Sequence, residues 1–129
     1  MNCTIKILGV AVAGGIGTLA RYGLASLVQH FTKGHLPWGT IVVNILGCFV
    51  FGLLWTLMRG QTWFTHEWRA VVFVGFMGAF TTFSSYIFET GELIRMGQWF
   101  SVAANIGLQN VIGLLAFGSA VVLVEWWPF

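Results

Sequence analysis

Charged residues are spaced in this sequence so that three long stretches hold none: 34–58 has 25 residues, 70–88 has 19 and 96–124 has 29. Each can cross a hydrocarbon core, which takes about 20 helical residues. A fourth apolar stretch, Ile7 to Phe31, is interrupted by Arg21. That position falls near the C-terminal end of the expected helix, where a guanidinium can snorkel or pair in a protein interior. Ala11-Val12-Ala13 resembles a signal-peptide cleavage site, but the apolar pattern continues well past it and only Lys6 precedes it, so a span is the better reading. The chain is therefore expected to be an all-α integral membrane protein. Its four transmembrane helices fall at about 5–28, 38–58, 70–92 and 99–126, in one membrane domain over 1–129.

Composition agrees, because 57% hydrophobic and 8% charged residues leave more apolar surface than a soluble chain of 14.2 kDa can hide. Pro37 suits a helix start. The tryptophans at 38, 55, 63, 68, 99, 126 and 127 mostly fall at span ends, as interfacial anchors do, and the chain is expected to end in the membrane interface. A net charge of +2 with scattered Lys and Arg makes nucleic acid an unsuitable partner. Cys3 and Cys48 form no CxxC pair, and His30, His35 and His66 have no metal-ligand spacing.

The charges decide orientation poorly. Lys6, Arg59 and Arg69 lie on one side of the expected spans, Lys33 and Arg95 on the other. So small a bias fits either a fixed orientation or insertion both ways with two copies paired antiparallel, and charge alone favours neither.

Polar residues inside the spans are few and patterned. Gly75, Gly78, Thr81, Thr82, Ser84 and Ser85 crowd the third span. They fit close helix packing by small residues, or a break near its centre with hydroxyls satisfying the freed backbone. The second span aligns Thr40, Asn44 and Gly47, and the fourth carries Ser101, Asn105, Gln109 and Gly113 at spacings of four. That stripe reads equally as interhelical hydrogen bonding and as a polar track. Amides and hydroxyls donate, and the edges of Phe80, Phe83, Tyr86 and Phe88 carry positive quadrupole, so together they suit an anion. No acid lies near a span centre; Glu89 and Glu92 fall at the end of the third span, where water is expected to reach them. Without a buried His–carboxylate pair, a membrane HExxH or paired acids, the chain does not read as an enzyme.

The run Gly75-Phe76-Met77-Gly78-Ala79-Phe80-Thr81-Thr82-Phe83-Ser84 closely resembles GFxGGxTTFS, the signature of the Fluc (CrcB) fluoride-channel family. Gly14-Gly15-Ile16-Gly17 ahead of Arg21, and the run from Trp38 through Asn44 to Gly47, follow the family in order, so the resemblance covers essentially the whole chain. It implies a passive fluoride-selective channel exporting fluoride across a bacterial inner membrane. The implied assembly is an antiparallel, dual-topology homodimer with two pores and a structural sodium ion on its axis, with no other protein partner. Asn44 matches the pore asparagine, Thr40 lies one turn earlier on the same face, and Phe83 matches the first aromatic of the phenylalanine box. Gly78 and Thr81 match the positions whose carbonyls hold sodium, Arg21 the arginine of span one, and Glu89 the acid after the signature. With Phe80, Tyr86, Asn105 and Gln109 these make the expected fluoride pathway and its surroundings.

Two positions depart from the family pattern: Tyr86 stands where a second Phe is usual, and Gln109 where a serine is usual. The phenol adds an O–H that could donate to the anion or bond to Gln109, and the sequence does not choose. A small multidrug-resistance type proton-coupled exporter is the alternative of similar size. It requires a membrane-embedded glutamate in span one, where this sequence offers Arg21.

Overall fold

The computed structural model of the chain describes residues 2–127. The expectation for how the chain ends, as far as it concerns Pro128 and Phe129, lies outside the described residues. Four helical segments are long and apolar enough to cross a membrane: Cys3–Phe31, Trp38–Met58, His66–Arg95 and Trp99–Trp126. The first and third run beyond the expected spans at both ends, because polar residues such as His30 and Arg95 continue a helix into the interface as readily as apolar ones.

All three connections turn at a glycine with positive φ, Gly34 (111°), Gly60 (83°) and Gly97 (68°), a conformation costly for other residues. At Gly97 the turn is a Schellman closure: the Gln98 N–H donates to the Leu93 carbonyl at 2.9 Å, and the third and fourth spans meet in a tight hairpin.

The first span packs on the first half of the third, and the second span packs along the later part of the fourth. Small residues permit this closeness. A Cβ on Gly17 would collide with the Phe76 carbonyl, and one on Gly47 would collide with the Thr81 side chain. Between the spans sits a cluster of Val43, Met77 and Phe80, with Phe76 stacked on Phe80 at 5.8 Å. Towards one membrane face Phe51, Trp55 and Phe64 gather around Phe73, and the Arg69 guanidinium lies 5.9 Å from both the Trp55 and Phe64 rings. A cation held on ring faces at a span end suits the interface.

The exterior is inverted relative to a soluble protein, with Leu19, Phe88, Phe100 and Leu114 largely exposed. Hydrocarbon or another apolar surface must cover such faces.

The third span is broken. Its first half ends at Phe80, Thr81 and Thr82 are extended (φ −89°, ψ 158° and φ −149°, ψ 110°), and the helix resumes as Phe83–Arg95. Of the two readings of the small residues, the break is the one that holds, and Gly75 also serves close packing against the first span. Two stretches the sequence does not announce are π-helical, Ala70–Met77 and Leu108–Ile112, the kind of local widening that often accompanies functional sites.

Candidate functional site

Two unpaired backbone groups at a helix break are expensive in a membrane unless protein satisfies them. Here the second span supplies the partner. The Thr82 N–H donates to Asn44 Oδ1 at 2.9 Å, and Asn44 Nδ2 donates back to the Thr82 carbonyl at 3.1 Å. Thr82 also caps the second half of the span: its Oγ1 accepts the Ser85 N–H at 3.2 Å.

These two bonds redirect the helical ladder. In an unbroken helix the N–H of residue 82 would return to the Gly78 carbonyl, and that of residue 85 to the Thr81 carbonyl. Asn44 and the Thr82 hydroxyl take those N–H groups instead. The carbonyls of Gly78 and Thr81, the two residues that the family resemblance marks for sodium, are among those released at the break.

A line of neutral side chains leads away from the break. Asn44 Nδ2 donates to Gln109 Oε1 at 2.6 Å, Gln109 Nε2 to Asn105 Oδ1 at 2.8 Å, and Asn105 Nδ2 to Thr90 Oγ1 at 2.9 Å. Thr90 then donates to the Tyr86 carbonyl at 2.7 Å. The direction of the line is fixed at its start: the Thr82 N–H can only donate, so the oxygen of Asn44 faces it and every later amide follows. Asn105 is completely buried, which its bonds to Gln109 and Thr90 make tolerable.

Asn44, Thr81, Thr82, Phe83, Tyr86 and Gln109 line a cavity of about 290 Å³, together with Asn110 and the apolar Phe51 and Phe117. A second cavity of about 470 Å³ is lined by Arg21, Tyr22, Thr40, Thr82 and Ser85. Thr82 lines both, so the break forms the wall between them. The Phe83 and Tyr86 rings lie 5.5 Å apart at 54°, and Phe83 is 74% exposed, with its outer side uncovered by this chain.

The structure thus brings Asn44, Phe83, Tyr86, Asn105 and Gln109 together, and Thr40 and Arg21 around the second cavity. Phe80 lies apart from them in the packed cluster with Val43 and Met77. Glu89 accepts a 2.6 Å hydrogen bond from Thr40, and its other oxygen is buried without a partner among the described residues. The expectation that water reaches Glu89 is corrected for that oxygen, because the fold turns this carboxylate inward against the second span. Glu92 instead pairs with Arg95 at 2.8 Å on an exposed surface.

Asn110 and Thr90 are members of the site that the sequence reading did not single out. A stripe spaced by four passes over Asn110, whereas the π-helical turn Leu108–Ile112 lets neighbouring amides reach different helices. Gln109 meets Asn44, and Asn110 meets the Tyr86 hydroxyl at 3.1 Å. The available signal was a second amide beside Gln109 in an otherwise apolar helix, which must find a partner.

A broken membrane span, closed by an amide from its neighbour and flanked by a neutral line of donors, defines a class: a small multi-pass membrane protein with a polar path beside a discontinuous helix. The chain belongs to the family described as CrcB-like protein, Camphor Resistance (CrcB), which matches residues 8–121. It is 50% identical over 118 residues to the fluoride-specific ion channel FluC of Desulforapulum autotrophicum, covering 92% of this chain and 94% of that relative. The protein of the same name from Solidesulfovibrio magneticus is 47% identical over the same shares of both chains. That of Nitrosococcus oceani is 46% identical over 85% of this chain and 88% of its own.

Proposed function

We propose that this chain is a passive, fluoride-specific ion channel rather than an enzyme. The observation that carries the reading is the uncharged donor line from Asn44 through Gln109 to Asn105, set beside Phe83 and Tyr86, in a chain half identical to a protein named for fluoride conduction. A small anion entering a membrane needs donors to replace its water. A fixed cation in the path would bind the anion too firmly to release it. Amide N–H groups and ring edges give attraction without that trap.

Asn44 has two N–H groups, and both are engaged in this conformation. One partner, the Thr82 carbonyl, is backbone. The other, Gln109 Oε1, ends a side chain that can rotate, so fluoride reaches an Asn44 donor by displacing Gln109. Arg21 stands in the second cavity and supplies positive potential at its mouth, and Thr40 with Glu89 borders the same side.

The working assembly is an antiparallel homodimer of dual topology in a bacterial inner membrane, with two pores. The near-even charge bias permits it, and the uncovered face of Phe83 offers a surface for the second copy. A sodium ion on the dimer axis would be held by the Gly78 and Thr81 carbonyls of both copies; their release from the helical ladder and their hard oxygen atoms suit it. When bound, the ion supplies a fixed positive charge that joins the two broken spans. A proton-coupled multidrug exporter is not favoured, since the first span offers Arg21 and no acid. The test is fluoride efflux from liposomes: passive, electrogenic flux supports the channel, and flux that requires a proton gradient contradicts it.

A further inference from the structure

We infer that the Tyr86 hydroxyl is an anion donor in this chain, aimed by Asn110. The inference rests on the channel reading and adds to it a binding group and a positioning residue.

Most side-chain donors around the 290 Å³ cavity are already spent. Thr81 Oγ1 donates to the Met77 carbonyl at 3.0 Å, and Thr82 Oγ1 donates to Ser85 Oγ at 3.0 Å. Both N–H groups of Asn44 are used, by the Thr82 carbonyl and by Gln109. Asn110 Nδ2 donates to the Ile106 carbonyl at 2.8 Å and to the Tyr86 hydroxyl at 3.1 Å, which uses both of its N–H groups. Among the side chains that line the cavity, the strong donors that remain are one N–H of Gln109 and the O–H of Tyr86.

The Tyr86 proton is unspent for a definite reason. The Ile106 carbonyl can only accept, so the nitrogen of the Asn110 amide faces it, and that nitrogen donates to the phenol oxygen. Tyr86 therefore accepts from Asn110, and its own proton has no acceptor among the described residues. The residue is 8% exposed and lines the cavity, so that proton is offered to whatever occupies the cavity. A buried donor without an acceptor favours an anion strongly. Of the two alternatives left open by the sequence, the bond to Gln109 is not formed, since Gln109 is engaged by Asn44 and Asn105.

The experiment is fluoride efflux from liposomes with a potassium ionophore, using wild type, Tyr86→Phe, Asn110→Leu and the double variant, each checked by gel filtration. Tyr86→Phe keeps ring and packing and is expected to lower flux about tenfold, the scale of one hydrogen bond to a charged partner. Asn110→Leu should lower flux when Tyr86 is present and change nothing further once Tyr86→Phe is made, whereas a purely structural role for Asn110 would give losses that add. Additive losses overturn the positioning role. Wild-type flux that Tyr86→Phe leaves unchanged overturns the donor alone, and wild-type protein that passes no fluoride overturns the channel reading and the donor with it.

Discussion

Asn44 and Thr82 are joined twice, side-chain amide to backbone amide, at 2.9 Å and 3.1 Å. A side chain from the second span thereby stands in for the helical rung that the third span lacks. The same amide begins the polar line through Gln109, so the structural break and the polar path share one residue.

Asn44→Asp should nearly abolish flux. It removes the donor to the Thr82 carbonyl and, when ionised, places a negative charge beside the path. At an effective dielectric of about 20 and a few ångströms, the repulsion is about 4 kcal/mol, or roughly a thousandfold in rate. Efflux from liposomes measures it, and unchanged flux with an ionised aspartate removes Asn44 from the path.

Gly47→Ala should destabilise the protein, since the added Cβ meets the Thr81 side chain at the break. Overpacking of this kind costs about 1–3 kcal/mol. Gly23→Ala is the control, because nothing lies within 4 Å of its Cβ position. Thermal unfolding in detergent should separate the two, and equal midpoints would show that the second span can move away from Thr81 at no cost.

Phe83→Ile should reduce fluoride flux several-fold while leaving the protein folded. The ring edge is lost but hydrophobicity is kept, and aromatic edge interactions are worth about 0.5–1.5 kcal/mol. Equal flux in wild type and variant would assign Phe83 a packing role only.

Much of the fold was legible because the membrane imposes it. Stretches without charge the length of a bilayer are hard to use otherwise, and Gly, Thr and Ser crowding in the third span marked where it gives way. The position of the break within that run was not legible, because it depends on Asn44 arriving from another helix to take the Thr82 N–H. Asn110 was hidden for a similar reason: a period of four assumes a regular helix, and residues 108–112 are not regular. Phe80 and Phe83 look alike in the sequence, yet one is buried at 7% exposure and the other is 74% exposed. The extended Thr81-Thr82 pair between them turns their rings to different neighbours.

Antiparallel pairing predicts that a cysteine placed by His35→Cys, with Cys3 and Cys48 replaced, reacts with an impermeant maleimide from both sides of a sealed membrane. The loop is exposed at this position. Labelling from one side only would fix a single orientation and rule out dual topology.

The most direct test of the central claim is a fluoride electrode reading of efflux from liposomes holding purified wild-type protein, with potassium fluoride inside and valinomycin added to relieve the voltage. The account predicts rapid fluoride release that starts only with the ionophore, needs no pH gradient, and is far slower for chloride under the same conditions. Release that waits for a proton gradient, or chloride release as fast as fluoride, would contradict a passive fluoride-specific channel.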